Sequence, residues 1–503
     1  MKSFLFSILF LFLVTTASAQ EAFLGSNPVF RRSDLNLGGR LRQLTLEDVA
    51  PGGGKEVVIL LREGNYPDWK LKLSVWEISK GKPTLFGEVW LPEDVIFYSF
   101  LRPELVTNSS LFLVRSGRAE LWGCARSEHG VTWQADKKFA LAIDSPFFIP
   151  QLGNAEPLDP TLDVPGSEEK QILLPARDGF QLVAIKAKGF EVEQKFPVSP
   201  RAFHKTATER MQLELPYWLR SSAWYPGFFL GTLTGARPAD SLFFPWMDEV
   251  AMTPLSGGSA PQTYYFHQLS EEERDDGQSY ALAIPSDLNN DGRTDFVVTK
   301  FQGETTSLRA DTEVFMTGSD GKIPEKGVHL APRGNRAAGA LPIDLDRSGK
   351  KTLVVASSTF NAWAVVKALI QRTTDVNFAF YSLHPDGYHL DKPDYEREIS
   401  FRFDLFDLFI DGMLPTLEGD FNGDGYPDAL YARDRKGITV LLQNPKAKEP
   451  FPSVPSAVYE VPVSRLWRVG DLDGDGKSDI VLYDRRSAGN RKVTVLMNAG
   501  KMR

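Results

Sequence analysis

The stretch DLDGDGKSDIVLYD, running from Asp471 to Asp484, places carboxylates at Asp471, Asp473, Asp475 and Asp479 and then enters an apolar strand. Like charges packed this closely repel. At neutral pH they are tolerated only with a cation among them or with water screening them. Hard divalent cations take oxygen ligands, and calcium takes six to eight. Alternate side chains of a tight loop turn inward, so Asp471, Asp473 and Asp475 converge. Gly476 permits a sharp bend, the backbone carbonyl of Lys477 supplies a further oxygen, and Asp479 completes the cage.

The same frame occurs twice more. DLNNDGRTDFVVTK gives Asp287, Asn289, Asp291, Arg293 (through its carbonyl) and Asp295. DFNGDGYPDALYAR gives Asp420, Asn422, Asp424, Tyr426 (through its carbonyl) and Asp428. The opening of each loop matches an EF-hand, but an EF-hand needs a Glu at the twelfth position and flanking helices. Here the ninth-position Asp leads directly into a strand. DLDRSGKKTLVVAS, from Asp344, is a worn copy: Asp344 and Asp346 remain, Ser348 stands for the third acid and Thr352 for the fourth. It is expected to be a degenerate metal site at most.

With these loops as a ruler, further units start at Asp48, Val106, Asp163 and Thr232, where Asp240 aligns with the last acid of the motif. They are expected to bind no metal. The intervals are roughly fifty to seventy-five residues, the length of a four-stranded propeller blade with its loops. The expected fold is all-β: a β-propeller of four-stranded blades, eight in number. Seven is the alternative if the Val106 or Thr232 unit is not a blade. The last unit ends one strand short, and NPVFRRSDLNL near the start is spare. This N-terminal segment is expected to supply the missing outer strand and close the ring, which removes an exposed sheet edge. The domain would span residues 20–503, with the best-formed repeats within 281–503. A rim insertion is expected within 359–400, where NAWAVVKALIQR (361–372) reads equally as a short helix or a blade strand.

These residues resemble the FG-GAP/VCBS repeat family, whose calcium-binding blades are like those of the integrin α-chain propeller. The resemblance is specific at the loops starting at Asp287, Asp420 and Asp471 and implies a β-propeller with calcium in its blade loops.

The chain begins MKSFLFSILFLFLVTTASAQ, a positive start, an apolar core and a small-residue cleavage pattern at Ala17-Ser18-Ala19. Residues 1–19 read as a secretory signal peptide, and no later stretch is apolar for long enough to span a bilayer. The expected product is an exported monomer with no transmembrane segment: periplasmic, extracellular or associated with the cell surface. With 57 Lys and Arg against 65 Asp and Glu, the net charge is −8, which argues against nucleic-acid binding through phosphates. Cys124 is the only cysteine, so any staple is packing or metal.

HExxH, GxSxG, P-loop and dinucleotide-binding signatures are absent. The calcium is expected to be structural. The leading expectation for function is a non-catalytic binding or adhesion module for a protein or glycan ligand. The competing expectation is a polysaccharide lyase-like propeller enzyme, and a plain scaffold is the third. Trp218, Trp224 and Tyr225 are candidate ligand contacts, though such aromatics more often pack a core. His384 and His389 are a weak transition-metal pair, read in preference as a solvated turn.

Overall fold

The computed structural model describes residues 28–499 apart from 51–52, 66–67, 80, 102–108, 128–129, 145–154, 168, 199–226, 236–237, 271–272, 274–279, 303–308, 332–335, 338, 360–366, 368–369, 405–408, 411, 464–465 and 485–490. The expected signal peptide and the aromatic trio Trp218, Trp224 and Tyr225 lie outside the described residues.

Most of the acidic or worn loops feed a short strand that is buried on both faces, whereas Thr352–Ser358, after the Asp344 loop, buries alternate residues. Examples of the doubly buried strand are EVVILLRE (Glu56–Glu63), QILLPA (Gln171–Ala176), DALYARD (Asp428–Asp434) and DIVLY (Asp479–Tyr483), all buried for at least five successive residues. A continuous apolar run of this length, rich in β-branched residues, suits a strand covered on both sides. The outermost strands are more exposed. Lys82–Leu91, for example, exposes Lys82, Thr84 and Trp90 and buries Gly87, Val89 and Leu91.

The fold is all-β with many four-stranded sheets, consistent with a propeller. Four of these are meanders in chain order, with antiparallel neighbours: Thr161–Leu162 to Gly189–Phe196, Phe229–Gly231 to Gln262–Tyr265, Tyr280–Ser286 to Val328–Leu330, and Met413–Gly419 to Ala457–Glu460. A fifth takes its strands from both ends of the chain. Leu466–Gly470, Asp479–Tyr483 and Lys492–Asn498 lie in order, and Phe30–Asn36 pairs antiparallel with Lys492–Asn498 over seven residues, from Phe30 opposite Asn498 to Asn36 opposite Lys492.

A nine-stranded sheet near the N-terminus consists of two meanders, Arg40–Glu47 to Lys82–Leu91 and Val95–Leu101 to Gly130–Ala142, plus the short strand Glu156–Pro157. The meanders meet at one parallel pairing, Gly87 with Val131. A Cβ on Gly87 would lie 2.3 Å from the Val131 carbonyl oxygen, so only glycine allows the outer strands to touch there. Without that contact these would be separate sheets of four and five strands, the fifth being Glu156–Pro157 beside Val95–Leu101.

Within 359–400, the span expected to hold an insertion, Thr373–Tyr381 and Tyr395–Asp404 are successive strands of a six-stranded sheet, next to Thr352–Ser358. A small hairpin, Leu383–His384 with Gly387–Tyr388, joins them. Of NAWAVVKALIQR, Lys367, Ile370 and Gln371 are described as helical, and Ile370 is exposed rather than part of an apolar face.

The core is distributed between neighbouring sheets, because each sheet is apolar on both sides. Val58, Leu60 and Leu73 of the first meander pack with Tyr98, Leu111 and Leu113 of the second. Val57, Ile59 and Leu61, pointing the other way, pack with Val481, Tyr483 and Val495 of the last sheet. The period-two alternation of the strand thus assigns successive residues to two different neighbours. The same holds further along: Leu430 and Ile438 pack with Ile480 and Leu482, while Ala429 and Tyr431 pack with Phe378 and Phe401. Each buried Leu, Val or Phe contributes about 1.5–3 kcal/mol.

Candidate metal centres

The three full loops and the worn one share a backbone built by their own polar side chains. The first-position Asp accepts the sixth-position amide in all four: Gly292 N–H to Asp287 (2.9 Å), Gly349 to Asp344 (3.0 Å), Gly425 to Asp420 (2.6 Å) and Gly476 to Asp471 (2.9 Å). The seventh-position amide donates to the fifth-position side chain: Arg293 to Asp291 (2.8 Å), Tyr426 to Asp424 (2.9 Å), Lys477 to Asp475 (2.9 Å) and Lys350 to Ser348 (3.2 Å). Asp346 accepts the Ser348 amide at 3.0 Å. The bend is wider than a single glycine at the sixth position. The fourth position is left-handed as well, with φ +60° at Asn290, +59° at Arg347, +74° at Gly423 and +77° at Gly474.

The ninth-position acids are the anchors. Asp295, Asp428 and Asp479 are buried, and each accepts two backbone amides. One amide comes from the second loop residue: Leu288 (3.0 Å), Phe421 (2.7 Å) and Leu472 (2.8 Å). The other comes from the end of the next strand or just past it: Thr317 (2.7 Å), Gln443 (2.8 Å) and Asn498 (2.7 Å). Burial pushes each carboxyl up to about 7, against the lowering pull of the two amide donors, and the other loop acids add to the rise. A buried carboxylate in this state is poised to take either a proton or a metal ion.

The loops differ in how their charges are compensated. In the Asp287 and Asp420 loops the third position is Asn, and its amide donates to the fifth-position Asp at 2.8 Å in both. Arg293 also forms an ion pair with Asp291. In the last loop the third position is Asp473, which cannot donate. Burial raises its pKa, helped by Asp475 and Asp471. Here Asp471, Asp473 and Asp479 place one oxygen each within 4.8 Å of one another, the only such grouping of acids, His or Cys among the described residues. Asp475 lies outside that trio. This donor set, all hard oxygen, fits calcium or a similar cation.

The worn Asp344 loop shows what replaces an acid. Lys351, at its eighth position, brings its ammonium 3.9 Å from Asp344 Oδ2. Lys55 and Lys170 hold the eighth position in the loops starting at Asp48 and Asp163, whereas the full copies have Thr294, Pro427 and Ser478. A lysine supplies positive charge where carboxylates have been lost. Asp344 Oδ1 is buried with no hydrogen-bond partner, a residual acceptor of the old site. Restoring acids with Ser348→Asp and Thr352→Asp and removing the lysine with Lys351→Ser is expected to add one calcium per chain in a calorimetric titration. An unchanged stoichiometry would show that the worn loop cannot be re-formed.

Two ninth-position residues depart from the sequence reading. The Asp48 unit, expected to bind no metal, has Glu56 at the ninth place, buried and accepting the Val49 (2.7 Å) and Ala50 (3.0 Å) amides. Its extra methylene lets it reach both. Asp240, aligned with the last acid, is exposed and accepts the Ser241 hydroxyl at 2.9 Å. That loop is held instead by hydroxyls, with Thr232 Oγ1 accepting the Thr234 amide at 3.2 Å.

Neighbouring loops are strapped together. The eighth-position amide of one unit donates to a carbonyl at the start of the preceding loop: Thr294 to Thr232 (2.7 Å), Lys351 to Leu288 (2.8 Å), Ser478 to Asp420 (2.7 Å) and Lys55 to Asp471 (2.8 Å). Pro427 has no amide hydrogen to give. At that junction the Gln443 side-chain amide donates to the Leu345 carbonyl at 2.8 Å. The acidic loops therefore sit side by side along one edge of the molecule, and Arg347 of one loop lies over the Tyr426 ring of the next.

Beside these loops a cavity of about 450 Å³ is lined by Glu47, Asp48, Ser99, Phe100, Asp159 and Lys170 among others. Burial raises the Glu47 carboxyl, and Asp159 adds to the rise. His384 and His389 stack with ring centroids 4.6 Å apart, and Nε2 of each is hydrogen-bonded to a carboxylate, Asp394 and Asp386 respectively.

Residues 420–482 match the FG-GAP-like repeat, so the match spans two acidic loops and runs from one sheet into the next. No curated protein matches the chain. Among solved structures, the crystal structure of Sqt1 from Chaetomium thermophilum is similar over 93% of this chain and 100% of that one, at 11% identity and a TM-score of 0.44. No helix among the described residues is long and apolar enough to cross a membrane.

Proposed function

We propose that this protein is an exported, calcium-stabilised β-propeller that acts as a non-catalytic binding module for a protein or glycan ligand. The observation that carries the reading is the last acidic loop. Three carboxylates converge there without the amide donor that relieves the other two loops, inside an FG-GAP-like repeat. Calcium supplies the missing positive charge, and Asp471, Asp473 and Asp479 hold it. The Asp287 and Asp420 loops hold further ions through the same positions.

In this reading the two meanders of the nine-stranded sheet count separately. With the six-stranded sheet and the five four-stranded ones they make eight blades. The segment Phe30–Asn36 is the closing strand, and packing of the first blade on the last seals the ring. Deleting residues 28–36 would bare the edge of Lys492–Asn498. The truncated chain is expected to self-associate, as read by light scattering, while the full chain stays monomeric.

The polar cavity lined by Glu47, Ser99, Phe100 and Asp159 offers hydroxyls, carboxylates and an aromatic ring, the groups that recognise a sugar. A glycan array probed with the protein in calcium tests the reading. Binding that leaves the glycans uncleaved supports it, and cleavage of a bound glycan overturns the non-catalytic assignment.

A further inference from the structure

Arg40 and Arg62 share one face of the first meander, and Arg42 lies at a bulge beside them. Arg40 and Arg62 are direct cross-strand partners in the antiparallel pairing of Arg40–Glu47 with Glu56–Glu63. Such partners project from the same face about 5 Å apart, where like charges destabilise the pair. Arg42 is the extra residue at the register shift between Leu41 and Gln43. A bulge of this kind re-aims a side chain and is common beside binding sites. After burial itself, the charges of Arg42 and Arg40 are what hold the Arg62 guanidinium below its ordinary range. The Arg62 guanidinium lies 3.6 Å over the centre of the Trp69 ring. The carboxylate next in sequence, Glu63, is taken by Lys72 at 2.7 Å. In a chain of net charge −8, composition does not force three cations together.

We propose that Arg40, Arg42 and Arg62, with Trp69 beside them, form a binding site for a single oxyanion group (carboxylate, sulfate ester or phosphate ester) carried by the ligand. The guanidinium fork matches such oxygens with paired hydrogen bonds, and an anion among the three arginines removes their mutual repulsion. A single anionic group is preferred over a long polyanion, which the net negative charge of the protein repels. The site is distinct from the acidic loops. Arg40 begins the strand that ends at Glu47, next to the Asp48 loop, so about seven residues of strand, roughly 23 Å, separate the two. The biological setting rests on the binding-module reading, but the anion site itself does not.

The test uses the full chain in calcium buffer, titrated with sodium sulfate, phosphate or glucuronate against chloride at matched ionic strength, followed by calorimetry and thermal melting. Saturable one-site binding is expected for at least one oxyanion and not for chloride, and the anion that binds identifies the source. Arg62→Gln is expected to weaken binding at least tenfold. Because that change also unstacks Trp69, Arg40→Gln is the decisive variant: Arg40 is exposed. It is expected to weaken binding at least tenfold while melting, in anion-free buffer, at or above the parent temperature. No oxyanion preference over chloride, unchanged affinity in Arg40→Gln, or a lowered melting temperature in that variant would each overturn the proposal. A silent glycan array beside intact oxyanion binding would fail the module reading and leave this site standing.

Discussion

Removing calcium with a chelator is expected to lower the melting temperature by on the order of ten degrees, and adding calcium back is expected to restore it. An ion held at a thousandfold excess over its Kd stabilises the folded state by about 4 kcal/mol per site. Three such sites act on a chain whose size makes each kcal/mol worth about one degree. The effect has a pH signature. Burial raises Asp295, Asp428 and Asp479 to about 7, well above the usual carboxylate range of the unfolded chain. In the metal-free protein, the stability tied to these protonated acids is fully present below about pH 4 and is lost as pH rises through about 7. Calcium needs the ionised form, so its stabilising effect grows over the same range. Melting curves with and without chelator should therefore diverge between pH 5 and pH 8. Curves that coincide at both would contradict occupied sites.

Asp479→Ala is expected to be the most damaging single substitution among the loop residues. It removes the acceptor of two buried amides, Leu472 and Asn498, at about 1–3 kcal/mol each, and takes one carboxylate from the converging trio. The resulting loss is about 2–6 kcal/mol before any metal contribution is counted. Asp295→Ala deletes the equivalent bonds, from the Leu288 and Thr317 amides, but Asn289 and Arg293 already relieve the charge of its loop through Asp291. Its loss should be smaller and less dependent on calcium. Equal losses in chelator and in calcium for Asp479→Ala, measured by urea unfolding, would show that the residue is an amide anchor alone.

Much of this architecture was legible because charge and periodicity are costly to misplace. Four acids in one short loop demand a reason, and the loop ends where a doubly buried strand such as Asp479–Tyr483 begins. Repetition of that junction gave the spacing of the sheets. Features set by three-dimensional contact were not legible. The strand-to-strand touch at Gly87 and Val131 has no periodic signal. Asn290 and Arg347 do not announce the left-handed fourth position, which Gly423 and Gly474 would have suggested if read together. Glu56 was hidden because its loop, DVAPGGGKE, keeps only the first and ninth acids and offers Glu for Asp at the ninth. Its place at the ninth position of the loop that starts at Asp48, with Lys55 just before it, was the available clue.

Metal ions seated in the acidic loops are the central expectation, and their stoichiometry tests it directly. Calorimetric titration of the chelator-stripped chain with calcium should give about three sites, one for each of the loops starting at Asp287, Asp420 and Asp471. Asp479→Ala should lower the count by one. A chain that takes up no calcium, or one whose uptake is unchanged by Asp479→Ala, would contradict the account.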